Sequence, residues 1–335
     1  MTGVGDAEKE DGVQASVGDG ALDGVLDGVP EAAAVARDRP RALHYGEFYG
    51  LKPLPEGPLL VVHGNCQAES MRVLLQGAEG APCVSVRIPA VHELAPDEVP
   101  LLQRLLAHAS TVVTQPIADG YHDLPLGSAE VAAAAPGARV AVFPVFRWVG
   151  LFPWQAVYTD PDVGDPPVVP YHDLRTLLRA LGRAVPDTTE DAVRAVSRWS
   201  LAELDRREQR AGAVRVHDLA EPAGVDAAHT ANHPGNTVLI GAARRVEEAL
   251  GWPVTAADPG RVLLGGVRAP LEPVVLRALG LDAGAARDHW LVGGEPVTTD
   301  EVESVQRAWY EAHPEVAQRL LTRAGQQLEL LGVAS

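Results

Sequence analysis

The stretch that decides the fold is Leu59-Leu60-Val61-Val62-His63-Gly64-Asn65-Cys66-Gln67. An apolar run that ends in glycine is typical of a buried strand followed by a tight turn. Apolar residues then recur at helical spacing (Met71, Leu74, Leu75), which predicts a helix over 68–76. Because ligands of open α/β sheets bind beyond the carboxyl ends of the strands, the turn between these elements is the first place to look for a site.

The same alternation continues downstream. Apolar runs predict strands at 84–88, 111–114 and 139–143, and helical spacing predicts helices over 97–107 and 128–135, the second with Ser128 as its N-cap. Strands that alternate with helices indicate an α/β fold in three layers, with a parallel sheet covered by helices on both faces, as in flavodoxin-like proteins.

The remainder is expected to be mostly helical. A proline-rich and aromatic segment over 144–172 predicts a long structured loop, and longer loops of this kind are usually functional. Helices are predicted over 173–183, 189–211, 237–250, 271–279 and 299–331, with a break at Pro314 and a fifth strand over 214–217. We expect residues 39–335 to form one α/β domain with C-terminal helices from about residue 255.

Charge and cysteine content exclude several classes. The formal net charge of −17 argues against a general binder of nucleic acid or anionic membranes. Residues 1–36 carry eight of the acids and only one base, Lys9, so a disordered acidic tail is expected over 1–38. Two cysteines, Cys66 and Cys83, exclude a disulfide framework and a cysteine-rich zinc site. Without a long apolar run or a signal-peptide pattern, the expected compartment is the cytoplasm.

The turn after the first strand contains the densest cluster of polar side chains. Cys66 is predicted at a helix N-terminus, where the backbone dipole stabilises a thiolate. Gly64 permits the turn, and Asn65 and Gln67 have amides that can donate to an oxyanion or orient a substrate. The alternative is a small buried cysteine in a strand-to-helix turn. For Cys83, next to a proline at the start of a strand, a place in the core is the favoured interpretation.

A second polar cluster is Asn232-His233-Pro234-Gly235-Asn236, just before a predicted helix. His233 can act as a general base for a hydroxyl or for Cys66. His229, in Asp226-Ala-Ala-His229, is a rival base, because Asp-x-x-His resembles the last block of SGNH hydrolases. Asn236 can line the site or cap the following helix.

Two further binding candidates lie elsewhere. Gln115, at the end of the third predicted strand, is expected to face the same crevice, either as a ligand donor or in a structural hydrogen bond. Arg147 lies in the aromatic loop, where a guanidinium beside aromatic rings suits a ring and a phosphate. No pair of histidines has metal-ligand spacing and no glycine-rich nucleotide motif follows a strand, so neither a metal nor a nicotinamide cofactor is expected.

These motifs resemble the WcbI family, which is assigned to capsular polysaccharide biosynthesis with acetyl transfer as its expected activity. The resemblance rests on the stretch from Val61 to Glu69, on Thr114-Gln115-Pro116-Ile117 with Tyr121, on the proline-rich loop and on the Asn232–Asn236 cluster. It covers about residues 59–250. Gly-Asn-Cys-Gln is its specific part.

The resemblance implies an SGNH-hydrolase-like fold that binds coenzyme A and transfers an acyl group from acyl-CoA, as co-substrate, to a sugar hydroxyl. By position it makes Cys66 the reactive or ligand-binding thiol and His233 the base. The residues expected to bind substrate or cofactor are Gly64, Asn65, Gln67, Gln115, Arg147 and Asn236. Two alternatives stay open: an SGNH-type esterase or thioesterase with water as acceptor, and a non-catalytic protein that binds coenzyme A or a glycan.

One departure from the family pattern concerns the acceptor. Many members carry a Gly-Tyr-His-Pro-Asp-like stretch where this chain has Gly150-Leu151-Phe152-Pro153-Trp154-Gln155. Phenylalanine and tryptophan thus replace a histidine and an acid. An apolar or aromatic acceptor therefore fits the sequence as well as a capsule sugar does.

Overall fold

The computed structural model describes residues 39–77 and 79–334. It distinguishes two compact units, one up to Pro53 and one from Leu54 onward. The described part of the first unit contains helix α1 (Arg39–His44) and a turn in which Nε of Arg41 donates to the Tyr49 hydroxyl at 2.9 Å. The acidic tail predicted over residues 1–38 lies outside the described residues.

The second unit is built on a four-stranded parallel sheet. Its first elements are β1 (Leu59–His63), α2 (Cys66–Gly77), β2 (Val84–Ser85), α3 (Val99–His108), β3 (Ala109–Thr114), α4 (Ser128–Ala133) and β4 (Arg139–Val142). The strand order is β2-β1-β3-β4, and each neighbouring pair runs parallel. Helices cover both faces of the sheet, and every residue of β1 is buried, including His63 at its end. The predicted α/β class and parallel sheet are confirmed.

Two local predictions in this half need correction. The second strand ends at Ser85 rather than at residue 88. Ser128 does not cap α4. Gly127 occupies that position, and the Ser128 hydroxyl instead donates to the Ile117 carbonyl at 3.0 Å.

The proline-rich loop forms a short hairpin at its base. Strands β5 (Gln155–Ala156) and β6 (His172–Asp173) pair antiparallel. Two of the predicted helices follow: α5 (Leu174–Ala180), whose first amides donate to the Asp173 carboxylate, and α6 (Glu190–Ala211), which Thr189 caps.

The fifth strand predicted over 214–217 does not form. The Val214 amide donates to the Val142 carbonyl at 2.9 Å, but the next donors are taken by a side chain. The buried Glu208 carboxylate accepts the amides of Val216 and His217, both at 2.9 Å. These backbone groups are therefore unavailable to a strand ladder, and the chain turns into the short helix His217–Leu219.

The rest of the chain mixes helices with short strands. Its elements are α7 (Ala220–Ala223), β7 (Ala228–Thr230), β8 (His233–Pro234), α8 (Asn236–Leu250), β9 (Val267–Arg268), α9 (Pro273–Ala278), β10 (His289–Val292), β11 (Glu295–Thr298), α10 (Thr299–Ala312), α11 (Pro314–Arg323) and α12 (Gly325–Leu330). The break at Pro314 is confirmed. A wholly helical C-terminal part is not, because β11, β10 and β9 form an antiparallel sheet in that order.

Two apolar clusters are prominent in the core of the described residues. One cluster lies around the sheet and includes Leu60, Leu75, Val113 and Val246. The other joins the hairpin base to the C-terminal helices and includes Trp154, Leu177 and Tyr310. Over residues 39–77 and 79–334, no helix is long and apolar enough to cross a bilayer.

Candidate functional site

The turn after β1 places Cys66 at the first position of α2. Asn65 caps this helix: its Oδ1 accepts the Gln67 amide at 2.9 Å, and its carbonyl accepts the Ala68 amide at 2.8 Å. The Asn65 amide in turn donates to Oε1 of Gln115, at the end of β3, at 2.8 Å. The turn is thus held from both sides, which fixes the direction in which the Cys66 side chain leaves the helix.

His233 lies beside the thiol. The hairpin β7–β8 carries it there, and its Nε2 is 3.7 Å from Sγ of Cys66 although the two residues are far apart in sequence. Gly235 allows the hairpin to turn into α8, since a Cβ at this position would clash with the Asp226 carbonyl. The structure therefore brings together the two residues that the sequence named as thiol and base.

Burial decides the charge state of this pair. It raises the pKa of the Cys66 thiol, and the charge of Glu93 raises it further, against the lowering effect of the backbone amides at the helix start. Burial also lowers the pKa of His233 to about 4, with a further contribution from the neighbouring His229. At neutral pH the pair is consequently a neutral thiol beside a neutral imidazole. The lowered thiol pKa expected from the helix dipole alone is not found.

Gln67 joins the thiol turn to the segment that carries His233. Its side chain is buried; its Nε2 donates to the carbonyls of Phe146 at 2.9 Å and Asn232 at 2.7 Å, and its Oε1 accepts the Phe146 amide at 3.0 Å. Because Asn232 directly precedes His233, this amide fixes the distance between base and thiol. Its polar atoms face protein partners, which favours a positioning role.

Gln115 has a similar place beneath the turn. It is buried, its Oε1 holds the Asn65 amide, and its Nε2 lies 3.5 Å from Oε1 of Gln67. Gly64 makes room for it, since a Cβ there would lie 2.8 Å from Cδ of Gln115 and nearer still to Oε1. The structural alternative for Gln115 accounts for these contacts; a ligand contact stays a prediction.

Two aromatic rings connect His233 to the lining of a cavity. The ring of Tyr171 meets the His233 ring edge-on at 5.9 Å, and Trp290 stacks on Tyr171 at 6.1 Å. Trp290, Phe152 and Trp154 line a cavity of about 580 Å³. Sequence reasoning did not select Trp290, which lies in the unpredicted strand β10.

His229 and Asn236 make no described contact with the Cys66 thiol. Burial lowers the pKa of His229 to about 4, but the described contacts of Cys66 with a histidine involve His233. Nδ2 of Asn236 donates to the Arg261 carbonyl at 2.8 Å, and its Oδ1 accepts the Leu263 amide at 2.9 Å. Asn236 thus fastens the loop that follows α8, and Gly235 rather than Asn236 occupies the N-cap position.

Arg147 opens onto a different cavity. It lies one residue beyond Phe146, and the lining of its cavity includes Tyr158, Arg207 and Arg323. No described contact joins its guanidinium to Cys66 or His233, so the structure separates it from the pair.

One cluster has the composition of a metal site. Asp205, Glu208 and His217 place ligand atoms within 4.8 Å of one another. Nδ1 of His217 is 2.7 Å from Glu208, whose other oxygen holds two backbone amides, and Asp205 pairs with Arg215 at 2.6 Å. The protein itself satisfies these groups.

Comparisons with known proteins agree with this architecture. The family model described as polysaccharide biosynthesis enzyme WcbI matches residues 59–255, which include the whole of the turn and the His233 hairpin. Comparison with curated proteins gave no match. A solved structure of WcbI, described as a novel polysaccharide biosynthesis enzyme in a native form without a disulfide bond between coenzyme A and a cysteine, has 18% identity and a TM-score of 0.66 over 82% of this chain and 98% of its own. The chain belongs to the WcbI family of polysaccharide biosynthesis enzymes.

Proposed function

We propose that this protein is an acyltransferase that takes an acyl group from coenzyme A and passes it to a hydroxyl group of a sugar or polysaccharide precursor. The observation that carries the proposal is the contact of 3.7 Å between Sγ of Cys66 and Nε2 of His233 at the carboxyl end of the sheet. The solved WcbI structure, whose description names coenzyme A together with a cysteine, supports the choice of acyl donor.

In the first half-reaction, His233 accepts the proton of the Cys66 thiol while Sγ attacks the acyl carbonyl of acyl-CoA. The C–S bond to coenzyme A breaks, and its thiolate takes the proton from His233. One thioester replaces another, so the step is close to thermoneutral. A neutral imidazole is needed for this step, and the low pKa of His233 supplies it at neutral pH.

In the second half-reaction, His233 accepts the proton of the acceptor hydroxyl, whose oxygen attacks the Cys66 thioester. The C–S bond breaks, and the Cys66 thiolate recovers the proton from His233. A direct route, in which His233 activates the acceptor against acyl-CoA and Cys66 only shapes the site, uses the same residues. An SGNH-like arrangement, with a reactive residue after the first strand and a base from a late loop, accommodates both routes.

The cavity lined by Phe152, Trp154 and Trp290 suits the acceptor. Most charged side chains in the cavity lining form ion pairs with one another. Arg175 pairs with Asp173 and with Glu272, and Arg179 pairs with Glu303. A lining of internal ion pairs and aromatic faces such as Trp290 favours an uncharged acceptor that packs on rings and offers hydroxyl groups.

Turnover tests the proposal against its alternatives. Release of free coenzyme A from acetyl-CoA is measured with and without a panel of neutral sugars and aromatic alcohols. Acyl transfer predicts that release beyond one coenzyme A per enzyme molecule needs an acceptor and is matched by an equal amount of ester product. Release in the absence of an acceptor, with acetate as product, indicates a thioesterase. Binding without release under all conditions indicates a non-catalytic coenzyme A protein and overturns the proposal.

A further inference from the structure

Three guanidinium groups converge on one cavity that the proposed chemistry does not use. Arg147, Arg207 and Arg323 line a cavity of about 290 Å³, together with Tyr158 and Trp199. They come from the proline-rich segment, from α6 and from the end of α11. The arrangement therefore depends on the tertiary fold and not on a run of basic residues in the sequence.

These guanidiniums have no carboxylate partner among the described residues. Arg207 donates to two backbone carbonyls, those of Glu203 and Arg147, at 3.2 Å each. Arg323 lies over the Tyr158 ring at 5.0 Å. The acid in the cavity wall, Glu203, pairs instead with Arg206 outside it.

Arg207 and Arg323 act electrostatically on the exposed Arg147. Arg147 has access to solvent, yet many protein atoms crowd its guanidinium, and that desolvation together with Arg207 and Arg323 lowers its pKa to about 10. Three arginine side chains therefore line one space. Planar guanidiniums bind phosphate oxygens in pairs, which makes a phosphate ester the best-matched counter-ion.

We propose that Arg147, Arg207 and Arg323 form a binding site for the phosphate groups of an organic phosphate. The hydroxyl of Ser200 and the rings of Tyr158 and Trp199 complete the wall and suit the ring that such a ligand carries. Two ligands share this chemistry: the nucleotide end of coenzyme A and a nucleoside diphosphate sugar.

The thiol turn and the arginine cavity contact neighbouring residues of one segment. The backbone of Phe146 bonds to Gln67, next to Cys66, whereas the carbonyl of the following residue, Arg147, bonds to Arg207 on the cavity side. The thiol and the arginine cavity thus flank the same extended segment. The coenzyme A version of this inference rests on the proposed function; the anion site itself does not.

Calorimetric titration tests the site with three probes: inorganic pyrophosphate, adenosine 3′,5′-bisphosphate and UDP-glucose. We expect binding that weakens with added salt, and at least about tenfold weaker binding in Arg147→Gln, Arg207→Gln and Arg323→Gln, because each removes a charge-assisted contact. Arg198→Gln is the matched control, since it removes the same charge from α6 but lines a different cavity.

Each outcome of the titration decides something. Preference for adenosine 3′,5′-bisphosphate, with competition by coenzyme A, assigns the site to the acyl donor; preference for UDP-glucose assigns it to a nucleotide sugar. The inference is overturned if no probe binds the wild type at millimolar concentration, or if Arg198→Gln weakens binding as much as the cluster variants do. A Cys66→Ala variant that keeps binding but transfers no acyl group separates this site from the proposed reaction.

Discussion

Replacing Gln67 by leucine is expected to separate the thiol from its base. Leucine has nearly the volume of glutamine but makes none of its hydrogen bonds, which measure 2.7, 2.9 and 3.0 Å to backbone groups of Asn232 and Phe146. At a net value of about 1 kcal/mol each, their loss lowers the free energy of unfolding by about 3 kcal/mol. The segment that carries His233 then loses its tie to α2.

The matched control is Gln327→Leu. Gln327 is also buried, and its Nε2 donates to the carbonyls of Pro153 at 2.7 Å and Gln155 at 3.0 Å, so its replacement costs about 2 kcal/mol by the same reasoning. None of its described contacts involves Cys66 or His233. The two variants are therefore similar in stability but differ in their effect on the pair.

Stability is measured by urea unfolding, and the state of the pair by the rate at which iodoacetamide alkylates Cys66, followed by peptide mass. This small uncharged reagent avoids any dependence on phosphate binding. We expect alkylation to slow at least about tenfold in Gln67→Leu, because general-base assistance by His233 is lost, and to stay near the wild-type rate in Gln327→Leu. Equal slowing in both variants, or none in Gln67→Leu, would refute the positioning role of Gln67.

Two other predictions follow from the same geometry. Gly64→Ala forces Gln115 away from the Asn65 amide and is expected to destabilise the fold by about 1–3 kcal/mol in urea unfolding. Gly77→Ala, at the end of α2 with open space around it, should cost nothing, and equal effects would contradict the argument. Burial lowers the pKa of His63 to about 4, so its unfolded form binds the proton more tightly. The contribution of His63 to the free energy of unfolding is therefore fully present above pH 6.5. It falls by up to about 3 kcal/mol as the pH drops towards 4. Urea unfolding across that range should show a smaller fall in His63→Gln, and an unchanged fall would exclude His63 as a source.

The sequence predicts the sheet and the thiol turn well because their signals are local. The run from Leu59 to Val62 is apolar without interruption, and Gly64 with Asn65 supplies the turn and the cap. The approach of His233 to Cys66 is a long-range contact that no spacing rule yields; it was expected from the resemblance to the family and from the order of the motifs. The distance between His233 and Cys66 depends on Gln67, and the hydrogen bonds of Gln67 could not be predicted from the sequence.

The sequence analysis missed other features, either because they depend on tertiary contacts or because a local signal was not used. The strand expected over 214–217 loses its donors to Glu208, a residue on the preceding helix. The hairpin β10–β11 did have a local signal, since the pair Gly293-Gly294 is typical of a two-residue hairpin turn, and both residues adopt positive φ there. The grouping of Arg147 with Arg207 and Arg323 joins three distant segments and has no trace in the sequence.

The most direct test of the central claim is the intact mass of the protein after incubation with acetyl-CoA in the absence of an acceptor. The account predicts one added acetyl group, located on the peptide that contains Cys66, absent in Cys66→Ala and formed much more slowly in His233→Ala. An unmodified Cys66 under these conditions, together with full transferase activity in Cys66→Ser, would contradict the covalent route and leave only direct transfer by His233.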